Sequence, residues 1–215
     1  MNPNSLTNID FSPAAERNRQ PIWALMSSWI TKIKNDHQLE QIDCLEIASG
    51  TGQHSAFFAS QCKDLIMWPS DQSLERATSI MGWAQASQVS EQVRPLHLLD
   101  VSQTEQWPKR LFPVIYCANM VHISPWSSAQ GLFKGAGEHL VDQGILIMYG
   151  PYRFENQELA PSNQAFDISL KQRNPLWGIR DLSALDELAQ QAKLKRVNVY
   201  DCPANNHLLV FQKEE

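Results

Sequence analysis

The chain has 215 residues, 43% of them hydrophobic, enough to bury a sizeable core within one domain. Its 18 basic and 23 acidic residues give a net charge of -5 with no long run of either sign, which excludes a general nucleic-acid binder, whose footprint is a basic face. No apolar stretch approaches the roughly 20 residues of a membrane-spanning helix. The opening MNPNSLTNIDFSP lacks the basic and then apolar order of a signal peptide, so one cytoplasmic domain over residues 1–215 is expected.

In chain order, Ser12 and Pro13 read as the cap and first residue of a short helix through Arg17, interrupted at Pro21. A second N-terminal helix follows, on the stripe Ile22, Leu25, Met26, Trp29, Ile30 and Ile33, so that residues 1–35 form the helical lead-in. Strands and helices then alternate. A first strand is expected over Ile42 to Ala48, a helix over Gly52 to Cys62, a second strand over Leu65 to Trp68, and a helix over Ser73 to Ala86 on Leu74, Ala77, Met81 and Ala84. The third strand is read over Leu96 to Val101, and Ser102 with Glu105 has the spacing of a capping box before Trp107. A fourth strand over Val114 to Met120 leads to a helix from Pro125 to Leu140, and Gly144 marks the turn into a fifth strand, Ile145 to Tyr149. A long irregular segment, about 150–180, precedes a last helix on Leu182, Leu185, Leu188 and Ala192 and two strands, Arg196 to Tyr200 and His207 to Phe211, around the loop DCPANN.

This order predicts an α/β fold: a seven-stranded, mostly parallel sheet with helices on both faces and one reversed strand at or near the edge. Ligands of such sheets bind at the carboxyl ends of the strands. Cys44, Cys62, Cys117 and Cys202 are far apart and lack ligand spacing, so they read as structural thiols, with no metal site.

Gly50 and Gly52 fall where the first strand turns into a helix, where glycine allows close backbone approach and leaves helix N-terminal amides free for a ligand. Glu46, Asp71 and Asp100 lie at or near the ends of the first three strands. One such acid alone reads as a cap or a solvated turn residue, but three at consecutive strand ends beside a glycine turn read as a site.

The arrangement resembles the class I S-adenosylmethionine-dependent methyltransferases, with their Rossmann-like fold. The resemblance implies S-adenosylmethionine as cofactor: Ala48, Ser49, Gly50 and Gly52 against its amino-acid part, Asp71 on the ribose hydroxyls, Asp100 facing the adenine amino group, and Glu46 orienting the loop and the ammonium end. Ala48 stands where many members carry the first glycine. The segments SPAAERNRQPI, LEIASGTGQH, WPSD, ANMVHISPW, GLFKGAGEHL, YGPY, SNQAFD, WGIRDL and PANNHLLVFQK together resemble the methyltransferase-like 26 family, a domain family of unassigned function. A methyltransferase acting on a small-molecule acceptor is therefore expected, with a non-catalytic cofactor-binding protein as the alternative.

Dinucleotide binding ranks lower, because the third glycine of G-x-G-x-x-G is Ser55 here and Tyr149 is followed four residues later by Arg153, with no lysine. His122, after the fourth strand, reads as a catalytic proton acceptor, or equally as a histidine bonded to a neighbouring loop or packed on the adenine. Asn119 is placed with the cofactor or as a strand cap. Tyr152 is taken as catalytic, and the acceptor-side loop 150–180, with Asn163, Asp167, Trp177, Arg180 and Asp181 beside Tyr149, as the lining of an acceptor pocket. For Trp177 alone, cover for the sheet edge is the favoured role. Arg17, with Asn18, either closes over the cofactor carboxylate or only bridges to Glu16. Asn205 and Asn206 are expected to shape the hairpin turn. Partners are expected to be a small-molecule acceptor, with no nucleic acid and no membrane, and a homodimer is allowed.

Overall fold

The structure, a computed structural model, describes residues 9–214, so residues 1–8 of the opening read for a signal peptide lie outside the described residues. The elements are α1 (Pro13–Asp36), β1 (Ile42–Ile47), α2 (Gln53–Gln61), β2 (Leu65–Asp71), α3 (Ala77–Ala86), β3 (His97–Leu98), β4 (Phe112–Ala118), α4 (Trp126–His139), β5 (Leu140–Gly150), β6 (Tyr152–Arg153), α5 (Pro161–Arg173), β7 (Arg180–Asp181), α6 (Leu182–Gln191), β8 (Leu194–Cys202) and β9 (Asn206–Lys213). Seven of the strands form one sheet in the order β3-β2-β1-β4-β5-β9-β8, and β6 pairs with β7 apart from it. β1 pairs with β2 and β2 with β3 in parallel, while β9 runs antiparallel to both β5 and β8. The seven-stranded sheet with a reversed strand next to the edge is as expected.

The chain divides into two units: the described part of Met1–Leu99 with Phe112–Tyr116, and Asp100–Leu111 with Cys117–Glu215. In the first, the Ser12 hydroxyl accepts from the Ala15 amide and opens α1, whose residues Ile22, Met26, Ile30 and Ile33 are buried. The expected break at Pro21 is corrected, because α1 runs through it as one helix. An internal proline costs about 3 kcal/mol, which burial of four large apolar side chains at roughly 1.5–3 kcal/mol each outweighs. β2 extends three residues past Trp68, through Pro69. The Met67 N–H points to Gln92, so the N–H that Pro69 lacks falls on the same side, between the Met67–Val93 bridge and the Ser70–His97 pairing, where no ladder bond is lost. α3 begins later than expected, at Ala77, and it buries Ser79, Ile80, Gly82 and Ala84 while Leu74 stands 52% exposed. The third strand shrinks to His97–Leu98.

In the second unit the capping box does not form. Thr104–Gln106 is a single 3-10 turn, and Ser102 donates to Asp100 instead. β5 starts at Leu140, and Gln143 at φ 59°, not Gly144, takes the left-handed conformation. The segment 150–180 is not an irregular loop, because α5 occupies Pro161–Arg173 and buries Asn163, Asp167 and Leu170. Cys44 and Cys117 are buried in β1 and β4, and all four cysteines are free.

Candidate functional site

In the first unit, the turn between β1 and α2 has three alternate residues in the left-handed region, Ala48 at φ 55°, Gly50 at φ 54° and Gly52 at φ 87°. The end of β2 clamps it: the Ser49 amide donates to the Ser70 carbonyl at 2.9 Å, the Ser70 amide to the Ser49 hydroxyl at 3.1 Å, and the Gly50 amide to Asp71 Oδ2 at 3.0 Å. A Cβ on Gly52 would lie 2.6 Å from Ile80 Cα, so α3 leaves room for glycine only. Gly52 is also the cap residue of α2 and supplies no side chain, so the first amides of α2 lack a side-chain cap. Ala48 holds a backbone that glycine adopts freely. The left-handed form costs an L-residue roughly 1–2 kcal/mol, against roughly 0.5–1 kcal/mol of extra chain entropy for glycine. Ala48→Gly is therefore expected to stabilise the protein by about 0.5–1 kcal/mol, read as a rise in thermal midpoint; a lower midpoint would show that the alanine methyl contributes packing.

Glu46, 2% exposed, lies beneath this turn. Its backbone carbonyl accepts from both the Ser49 and Ser70 hydroxyls, and its carboxyl accepts from Ser55. Burial raises its pKa to about 7, against the lowering effect of hydrogen bonds from Ser55 and Ser49. His54 Nδ1 stands 3.8 Å from Glu46 Oε1, and burial lowers the His54 pKa to about 4, so the two face each other as a neutral imidazole and a carboxyl rather than as an ion pair. The imidazole is held at both nitrogens, by Tyr116 Oη at 3.2 Å and by Asn18 Oδ1 at 2.6 Å. The ties continue into α1, where Gln53 bonds to the Ser12 amide and to Glu16. Arg17 is exposed on α1, and Glu16 pairs with Arg19.

In the second unit, Asp100 Oδ1 accepts from the amide and hydroxyl of Ser102, and the Asp100 amide donates to Gln106. Asn119, at φ 60°, caps the 3-10 turn Met120–His122 and donates its amide to the Tyr149 carbonyl. His122 is fully buried; its Nδ1 accepts from the Arg180 amide at 3.4 Å, and its ring meets Tyr152 at 5.0 Å. Burial first, and then the Arg180 charge, lowers its pKa to about 3. Nε2 of His122 and the Tyr152 hydroxyl, both buried, have no hydrogen-bond partner among the described residues. A Cβ on Gly150 would lie 2.6 Å from that Nε2, so the glycine makes room for the imidazole.

Most of the polar residues singled out in and beside 149–180 are already engaged by neighbouring groups. Arg180 donates to the carbonyls of Val121, Ser124 and Leu176; Asp167 accepts from the Ile179 amide and Lys171; Arg153 lies 3.2 Å from Asp181; and Arg173 covers the Trp177 ring. Asn163, by contrast, lines a cleft of about 290 Å³ with Tyr152, Phe154 and His207, its amide nitrogen on the Asn205 carbonyl. Sequence reasoning missed His54, Tyr116, Phe154 and His207. For His207 a signal existed, because a hairpin around DCPANN sets Asp201 opposite it.

The chain matches, over residues 9–213, the family described as Protein of unknown function (DUF938). It belongs to the DUF938 family. Among solved structures this DUF938 chain is similar in fold to an O-methyltransferase family protein from Burkholderia thailandensis, at TM-score 0.71 and 12% identity over 94% of this chain and 60% of the other. It is likewise similar to an O-methyltransferase family 2 protein from Planctomyces limnophilus in complex with apigenin, at TM-score 0.69 and 16% identity over 97% and 64%. The DUF938 chain thus spans under two thirds of those two proteins. A magnesium protoporphyrin IX methyltransferase from Synechocystis with bound SAH is matched over 98% of this chain and 91% of its own, at TM-score 0.67 and 11% identity.

Proposed function

We propose that this chain is an S-adenosylmethionine-dependent methyltransferase acting on a small-molecule acceptor, related to the methyltransferase-like 26 family by the nine segments it resembles. The observation that carries the reading is the left-handed turn at 48, 50 and 52, fixed by Asp71 at the end of β2 and opening on the uncapped amides of α2, within a fold whose solved neighbours are methyltransferases. The residues present fit the cofactor. No Cβ intrudes at Gly50 or Gly52, and Asp71 uses only Oδ2 on Gly50, keeping Oδ1 for ribose hydroxyls.

When bound, S-adenosylmethionine supplies an electrophilic methyl group on a sulfonium. The backbone of Ala48, Ser49, Gly50 and Gly52 receives its amino-acid part, Asp71 the ribose and Asp100 the adenine, with Asn119 and Arg17 as further contacts. Glu46 holds the turn from inside through Ser49 and Ser70. His122, with its low pKa and Nδ1 on a backbone amide, is a weak base, so we assign it to positioning Tyr152 on the acceptor side; alignment of acceptor and methyl then supplies most of the rate. Residues 1–215 act as one cytoplasmic domain in this reading.

A thermal-shift series tests it: S-adenosylhomocysteine is expected to raise the midpoint, by about 2.7 kcal/mol of stability at a hundredfold excess over Kd, and NAD to leave it unchanged. A shift with NAD alone would overturn the reading. Asp71→Ala should weaken S-adenosylhomocysteine by about 1–3 kcal/mol in calorimetry. Asp71→Asn, whose side-chain carbonyl can still accept from Gly50, separates loss of the turn from loss of the ribose contact.

A further inference from the structure

The cleft of about 290 Å³ in the second unit, at the carboxyl end of β5, is lined by Tyr152, Phe154, Glu158, Asn163, Asp201 and His207 among others. Two of these side chains hold buried polar atoms with no partner among the described residues, the Tyr152 hydroxyl and His207 Nδ1. Such atoms cost about 1–3 kcal/mol each unless something bonds them. Tyr152 is 2% exposed, and burial keeps its hydroxyl protonated, so it offers one donor and one acceptor. His207 Nε2 lies 3.4 Å from Asp201 Oδ1, and burial lowers the imidazole pKa against the raising effect of Asp201. In the tautomer that carries its proton on Nε2, the nitrogen nearer Asp201, His207 presents a bare Nδ1 lone pair that accepts from a hydroxyl or an amine. The Phe154 ring packs edge-on against His207 at 4.6 Å and with Tyr152 gives aromatic walls suited to a flat ring.

Charge and size narrow the ligand further. Glu158 and Asp201 line the cleft and no lysine or arginine does, so an anion is disfavoured and an ammonium favoured. At roughly 30 Å³ per water-sized group, the volume holds on the order of ten non-hydrogen atoms. We propose that this cleft binds the methyl acceptor, and that the acceptor is a single-ring molecule with a hydroxyl or amine donor and a neutral or cationic tail. The inference rests on the methyltransferase reading for the word acceptor; the ligand class rests on the cleft alone.

Tyramine and 4-hydroxyphenylacetate, nearly the same shape with opposite charge, are the probes, titrated by calorimetry into the full chain with and without S-adenosylhomocysteine. Tyramine is expected to bind, with the carboxylate at least about tenfold weaker. Tyr152→Phe should weaken tyramine about tenfold without lowering the thermal midpoint, since the hydroxyl it removes has no partner, and without changing S-adenosylhomocysteine affinity. Asp201→Asn, at an exposed position, should weaken tyramine severalfold and leave the fold intact. Equal or tighter binding of 4-hydroxyphenylacetate, unchanged tyramine affinity in Tyr152→Phe, or no binding of tyramine at millimolar concentration overturns the proposal. Tyramine binding to a protein that does not bind S-adenosylhomocysteine supports the ligand class and overturns the methyltransferase reading instead.

Discussion

Replacing Gly52 by alanine is expected to cost about 2–5 kcal/mol after the chain entropy of glycine is deducted, a large share of the stability of a domain this size. Two penalties act at once. At φ 87° an L-residue is strained by about 1–3 kcal/mol, and the added Cβ would sit 2.6 Å from the Ile80 Cα and 2.8 Å from its Cγ1. The nearest clash is with backbone, so no rotamer change relieves it, and overpacking of this kind adds about 1–3 kcal/mol. Urea unfolding of the variant measures the loss. A midpoint within experimental error of the parent protein would mean that α3 moves freely away from the turn. Gly50 serves as an internal control: its backbone is also left-handed at φ 54°, but a Cβ there meets only the end of Arg76 at 3.4 Å. Gly50→Ala should cost only the backbone strain less the chain entropy that glycine carries, about 0.5–1 kcal/mol.

The second large effect is a pH dependence. Glu46 has an ordinary carboxyl pKa when unfolded and one of about 7 when folded, because burial penalises its charge. Below the unfolded value both states are protonated and the folded protein loses nothing. As pH rises from about 4.5 towards 7 the unfolded chain releases a proton that the folded one keeps, so stability falls by about 3 kcal/mol and then levels off. Glu46→Gln removes this dependence while its amide still receives the Ser55 hydroxyl. The difference in unfolding free energy between the two proteins should therefore shift by about 3 kcal/mol in favour of the glutamine variant between pH 4.5 and 7. His54, lowered to about 4, and His122, lowered to about 3, act oppositely, adding stability as pH rises towards the ordinary histidine range, but both proteins contain them. A flat difference curve would place Glu46 in contact with solvent or with a cation.

The sequence showed the parallel strands, the glycine turn and the closing hairpin because each leaves a local mark: short apolar runs, G-x-G at a strand end, and two strands too close for a crossover helix. It hid α5 because the buried face of that helix carries Asn163 and Asp167 beside Leu170, so no apolar period appears. Pro21 and Pro69 misled for a common reason, since proline forbids a local hydrogen bond that tertiary packing can do without. The turn residues at 48–52 were readable, and the left-handed φ of Ala48 shows that the backbone required at the missing glycine is kept even with a methyl group attached. The partners of Glu46 were not readable, because Ser55, His54 and Tyr116 are brought together by helix phase and by a strand some sixty residues further on.

The two margins of the sheet bear on how the protein behaves at high concentration. One margin is β3, only two residues long, and the other is β8, which carries Lys195, Arg196 and Asp201 and is bent by a register shift between Arg196 and Asn198. Exposed strand margins act as templates on which a second chain adds its own backbone, and the run of consecutive free amides and carbonyls decides how far such growth goes. A two-residue margin offers too short a template, and a charged, kinked one breaks the run midway. Neither margin therefore offers the long, flat template that edge-to-edge polymerisation needs.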